Sequence, residues 1–102
     1  MKRVDLTLVF HHETEGGAFL VSANGKLGFA EHVPAKLCRF DTENLARLTA
    51  WRADNAHRSR EGRFAAQWSR ATITVALPDD LAREKGLAAK DAAEGLFREG
   101  LS

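Results

Sequence analysis

Apolar and polar residues alternate over 3–10, RVDLTLVF, with Val4, Leu6 and Leu8 set against Arg3, Asp5 and Thr7. That period of two predicts a half-buried β-strand, broken at its end where Val9 and Phe10 are both apolar. A second strand is expected over 18–22, AFLVS, after the Gly16-Gly17 pair. Asn24-Gly25 then predicts a two-residue type I′ turn, with 26–33, KLGFAEHV, as the returning strand and Leu27, Phe29 and Glu31 on one face. Pro34 ends that strand or sits at a bulge, and a short strand can resume over 36–40, KLCRF.

The period changes after Asp41. Asp41 or Thr42 can cap a helix over 43–57, with Glu43 facing its positive end and Leu45, Leu48 and Trp51 as a short apolar stripe. A loop follows at 59–62, SREG. Over 63–77 two alternating sets, Phe64/Ala66/Trp68 and Ile73/Val75/Leu77, stand in opposite phase. Either a bulge near 69–71 joins them in one strand, or the segment starts as a helix and only 71–77 is strand. Pro78, Asp79 and Asp80 open a helix that closes near Lys85 and Gly86. A last helix is expected over 89–99, carrying Ala92, Ala93, Leu96 and Phe97 and ending at Gly100.

These elements predict an α+β fold in one domain, 1–102. Its hairpin-rich part is 1–41, an Arg-rich and partly helical insertion covers 42–70, and a strand with two short helices covers 71–102. The antiparallel sheet is small and curled, either open or forming a partly open SH3- or OB-like barrel.

Composition changes this picture little: 44% hydrophobic and 28% charged residues are ordinary for a globular domain. The one cysteine, Cys38, has no internal partner and sits in an apolar-flanked run, which predicts a buried inert thiol. The charged N-terminus does not read as a signal peptide and no apolar run reaches a membrane span, so a cytoplasmic location is expected. Charge is more informative. The net value is +1, yet Glu43 to Arg70 holds six arginines (Arg47, Arg52, Arg58, Arg60, Arg63, Arg70) against three acids (Glu43, Asp54, Glu61). That segment is therefore +3 and the remainder −2.

Two stretches bear candidate chemistry. HHETEGG, 11–17, gathers His11, His12, Glu13 and Glu15, and His12, Glu15 and His32 would converge if the first and third strands lay close. On a regular strand, however, His11 and His12 point to opposite faces. The zinc-protease order is not matched, and hydrolase, phosphate-loop and dinucleotide patterns are absent. A polar strand end entering a turn is the simpler reading, so no enzyme, metal or cofactor is expected. The arginine-rich stretch is the better candidate. Trp51, Phe64 and Trp68 are interleaved with Arg52, Arg63 and Arg70, the mixture by which single-strand binders hold phosphates and stack bases. The same tryptophans can instead be core, with arginine stems covering the solvent face. Trp and Arg also dominate protein interfaces.

Two resemblances add context. ATITVALPDDLAREKGL with the final helix is similar to ribbon-helix-helix DNA-binding domains, although 79–85 is short for that family's first helix. More specifically, HETEGGAFLVSANGKLGFAEHVPAKL and TITVALPDDLAREKGL resemble small phage and prophage proteins of unassigned function, which read ETEKA, WLPKS and VPEWLAxEKGL. The resemblance rests on Glu13, Thr14, Glu15, Ala18, Leu20, Val21, Gly25 and Pro34, then on Thr74, Val75, Pro78, Leu81, Ala82, Glu84, Lys85, Gly86 and Leu87. His32 and Asp80 stand where those proteins carry tryptophan, and 43–70 reads as an insertion. The resemblance implies a phage-type gene context and carries no activity.

The expected function is a non-enzymatic accessory module that contacts nucleic acid through Arg47, Trp51, Arg52, Arg58, Arg60, Arg63, Trp68 and Arg70. The alternative is a protein-binding inhibitor or adaptor, anti-CRISPR-like, acting on a host or phage complex. A metal-dependent enzyme centred on His11 and His12 is the remote third reading.

Overall fold

The computed structural model describes residues 2–87, so the helix expected over 89–99 lies outside the described residues. The fold is α+β. Four strands, β1 (Arg3–Glu13), β2 (Ala18–Ser22), β3 (Glu31–Pro34) and β4 (Ala71–Pro78), form one antiparallel sheet in the order β3-β2-β1-β4. The sheet is open, with β3 and β4 at its edges, so it does not close into a barrel.

Period two along β1 and β4 builds the core. Leu6, Leu8 and Phe10 bury one face of β1 beside Ile73, Val75 and Leu77 of β4, and Phe19, Val21 and Val33 extend that face across β2 and β3. Helix α1 (Thr42–Asp54) contributes Leu48 and Trp51 to the same cluster, and the Trp51 ring stands edge-on to Phe10 at 5.7 Å. Asp41 is its N-cap, accepting from Asn44 N–H at 2.8 Å. The helix ends three residues before the predicted His57. Leu45, expected in the apolar stripe, is 50% exposed.

Three further expectations are corrected, each for a tertiary reason. First, Asn24-Gly25 is not a type I′ turn. That turn needs positive φ at both residues, and only Gly25 has it (77°). Asn24 instead accepts from Lys26 N–H through its side chain at 3.0 Å. A two-residue turn there would set Ala30 opposite Phe19; the observed register sets Val33 there, completing the apolar face. Residues 23–30 are therefore a longer loop, in which Leu27–Phe29 makes a 3-10 turn.

Second, 36–40 is not a strand. Ala35–Leu37 is a 3-10 turn, and only Arg39 bridges to Ala76, on the outer edge of β4. Asn44 Oδ1 accepts from Thr74 N–H on the same edge at 2.9 Å, so part of that edge is covered. Of the two readings of 63–77, the helical start is the one observed. Gly62–Gln67 is 3-10 and the strand begins at Ala71.

The third correction matters most for function. The β1–β2 register shifts between Phe10 and His12: Phe10 pairs with Val21, but His12 pairs with Leu20 and Glu13 with Phe19. His11 is the extra residue of a β-bulge. Cross-strand partners share a face, so Phe10 and Glu13 lie on the core face, while His12 shares the opposite face with Leu20 and Ser22. His11 also reaches Ser22. The two histidines therefore turn to the same side of the sheet, against the expectation for a regular strand.

Candidate functional site

The bulge lies where the sheet narrows. β4 ends opposite Phe10, at Ala71, so β1 beyond Phe10 has no strand neighbour on that side. The chain leading into β4 fills the gap: the Trp68 ring stands edge-on to His12 at 4.8 Å and 5.4 Å from Trp51. Hydrogen bonds pin this segment to the end of α1. Trp51 Nε1 donates to the Ser69 carbonyl at 2.6 Å and Trp68 Nε1 to the Ser59 carbonyl at 2.7 Å. The fully buried Asn55 accepts from Ser69 N–H at 2.8 Å and donates to the Trp51 carbonyl at 2.9 Å. Asn55 carries no signature in the sequence that separates it from an ordinary helix-end asparagine.

Glu13 is buried on the core face and is held by Arg52 in a bidentate pair, with both N–H···O distances 2.9 Å. The Arg52 guanidinium also lies 5.3 Å from the Phe19 ring centre. This fork serves an internal carboxylate, which would be costly to bury unpaired.

His11 is 2% exposed, and its Nε2 lies 2.7 Å from Ser22 Oγ. Gly25 N–H donates to the same oxygen at 2.9 Å, and the Gly25 carbonyl accepts from Arg70 at 2.7 Å. Burial, then the Arg70 charge, lowers the His11 pKa, which favours the neutral ring. His12 is completely buried, and neither of its ring nitrogens makes a hydrogen bond of ordinary geometry. Burial lowers its pKa most. His32 and Arg60 act in the same direction, and the Ser59 backbone and Glu13 oppose them.

The predicted binding residues divide into two sets. Trp51 and Trp68 are core, the second of the two uses open to them, and offer no face for a base. Arg52 is committed to Glu13. Of the remaining arginines, Arg47, Arg60, Arg63 and Arg70 are exposed, while the Arg58 Nε is buried without a hydrogen-bond partner among the described residues. Arg47 pairs with Glu43 within α1 and Arg63 with Glu61, both exposed pairs of little energetic weight. Arg63 also lies 4.9 Å from the centre of the half-buried Phe64 ring. Arg58 and Arg60 have no ion-pair partner among the described residues, Arg58 half-buried and Arg60 exposed. Comparison with family models, with curated proteins and with solved structures finds no match.

The site must therefore be judged on its own chemistry. Among the described residues no group of three or more His, Cys, Asp or Glu is placed to hold a metal ion. His12 and His32 lie in one row across the sheet, but Leu20 stands between them. The Ser22–His11 contact has the length of a nucleophile–base pair, yet Ser22 is fully buried and its oxygen already accepts from Gly25. Cys38 is buried as expected, and burial raises its pKa to about 11, which disfavours the thiolate. No helix among the described residues is long and apolar enough to cross a membrane.

Proposed function

We propose that the chain is a binding module of phage-type gene context that contacts the phosphates of nucleic acid through Arg58, Arg60 and Arg63. The observation that supports this is the division of labour within 55–70. Asn55, Ala65 and Trp68 turn inward and anchor the segment, while Arg60 and Arg63 remain exposed and Arg58 and Arg60 are free of acidic partners. A guanidinium in that state is available to a phosphate without first breaking an internal pair. Because both indoles are buried, contact runs through charge rather than base stacking, so duplex and single strand are held by the same residues.

Fluorescence anisotropy with labelled single-stranded and duplex DNA tests the reading. Wild-type protein is expected to bind both at micromolar concentration in low salt. The Arg58→Ala/Arg60→Ala/Arg63→Ala variant is expected to lose most of that affinity. Equal binding by the variant would show that the surface is wrong. No binding by wild type would leave the protein-docking alternative as the better account.

A further inference from the structure

A cleft of about 440 Å³ opens beside the bulge, within the volume range of small-molecule sites. His11 and Arg70 line it with Leu27, Ala65 and Trp68, so an imidazole and a guanidinium stand over a partly apolar floor. The hydrogen bonds around Ser22 determine what His11 offers there. Gly25 N–H is necessarily a donor, so Ser22 Oγ accepts from it and retains a hydroxyl proton of its own. Ser22 is fully buried, and the acceptor within reach of that proton is His11 Nε2 at 2.7 Å. Neutral His11 then carries its proton on Nδ1, which has no protein partner among the described residues. Arg70 is tethered by one bond to the Gly25 carbonyl and keeps the rest of its donor fork.

We propose that this cleft is an oxyanion site, taking a phosphate group carried by a small organic molecule between Arg70 and the His11 Nδ1–H. Arg70 supplies the charge, His11 a neutral donor, and the exposed Leu27 side chain the surface for the organic part. The chain of bonds Arg70–Gly25–Ser22–His11 fixes both donors before the ligand arrives, which lowers the ordering cost of binding. The proposal does not rest on the loop arginines: Arg58, Arg60 and Arg63 lie outside the lining of the cleft.

The test follows the His11 ring protons and the Trp68 indole by NMR at low salt. Three probes are titrated: inorganic phosphate, phenyl phosphate, and a tetranucleotide without terminal phosphate. Saturable shifts of His11 with inorganic phosphate, and tighter saturation with phenyl phosphate, are expected. Arg70→Ala should weaken phenyl phosphate by about tenfold or more, as loss of a charged hydrogen-bond donor does. Shifts from both phenyl phosphate and the tetranucleotide would identify the shared group as any phosphate, and shifts from the monoesters alone would restrict it to free or terminal ones. No saturable shift with either monoester, or a shift that survives Arg70→Ala undiminished, would overturn the site. A response to the tetranucleotide alone would also overturn it and assign that binding to the loop.

Discussion

The two faces of β1 at its far end are built by opposite rules. On the core face Phe10 and Phe19 lie 5.1 Å apart with Trp51 behind them, and even the charged Glu13 is brought in fully paired. On the other face, two buried histidines, a buried serine and a tryptophan edge meet, with His12 left unpaired. One face converts burial into stability. The other spends burial on polar groups whose protonation is disfavoured, and this is also where the arginine-bearing segment crosses the strand. The difference separates residues whose burial adds stability from residues whose burial disfavours a charge, and it can be attacked from either side.

The largest effect should come from the core face. Phe10→Ala removes a completely buried ring contacting three aromatic neighbours and is expected to cost about 3–5 kcal/mol by urea unfolding. A cost near 1 kcal/mol would show that this cluster is not the centre of the core. Next comes the charged entrant to that face. Arg52→Ala leaves the Glu13 carboxylate buried without its partner; since Arg52 itself is 44% exposed, the expected cost is about 1–3 kcal/mol. Glu13→Gln/Arg52→Ala should recover part of it, and a double variant no better than the single would argue against an isolated buried charge.

Smaller again is the pH response of the polar face. His11 and His12 both have lowered pKa values in the fold, so between the unfolded value of 6.5 and their folded values the unfolded chain binds more protons. Stability is therefore complete above pH 6.5 and falls as the pH drops below it, by at most about 1.4 kcal/mol per pH unit for each histidine. Thermal melts of wild type and His12→Phe at pH 7.5 and 5.5 should show a shallower loss in the variant. Parallel losses would mean that other groups set the acid response.

How far the sequence revealed this contrast depends on how local each signal is. Val4, Leu6 and Leu8, the 71–77 run, the Asp41 cap and the Gly-Gly turn are all local patterns, and each places its element. The bulge at His11 is not local: it sets Glu13 rather than His12 opposite Phe19, where Arg52 of α1 receives the carboxylate, and no window along β1 contains that partner. The 23–30 loop departs from its local signal for a tertiary reason as well. Asn24-Gly25 carries a strong turn preference, but the need to set Val33 opposite Phe19 outweighs it. Over 47–70, charge is legible because arginines repeat, whereas the inward turn of Trp51 and Trp68 depends on the Ser69 and Ser59 carbonyls that receive their N–H groups. The clamp at Asn55 is equally tertiary.

The proposal that residues 55–70 are anchored by their buried side chains and bind through Arg58, Arg60 and Arg63 is tested most directly by one salt titration. Duplex DNA affinity is measured against salt for wild type and for Arg58→Ala/Arg60→Ala/Arg63→Ala, with folding stability of both checked alongside. Three phosphate contacts correspond to a log–log slope change of about 2.7, so the variant's slope should be shallower by that amount while its stability stays within about 0.5 kcal/mol. Equal slopes in two equally stable proteins would contradict the account.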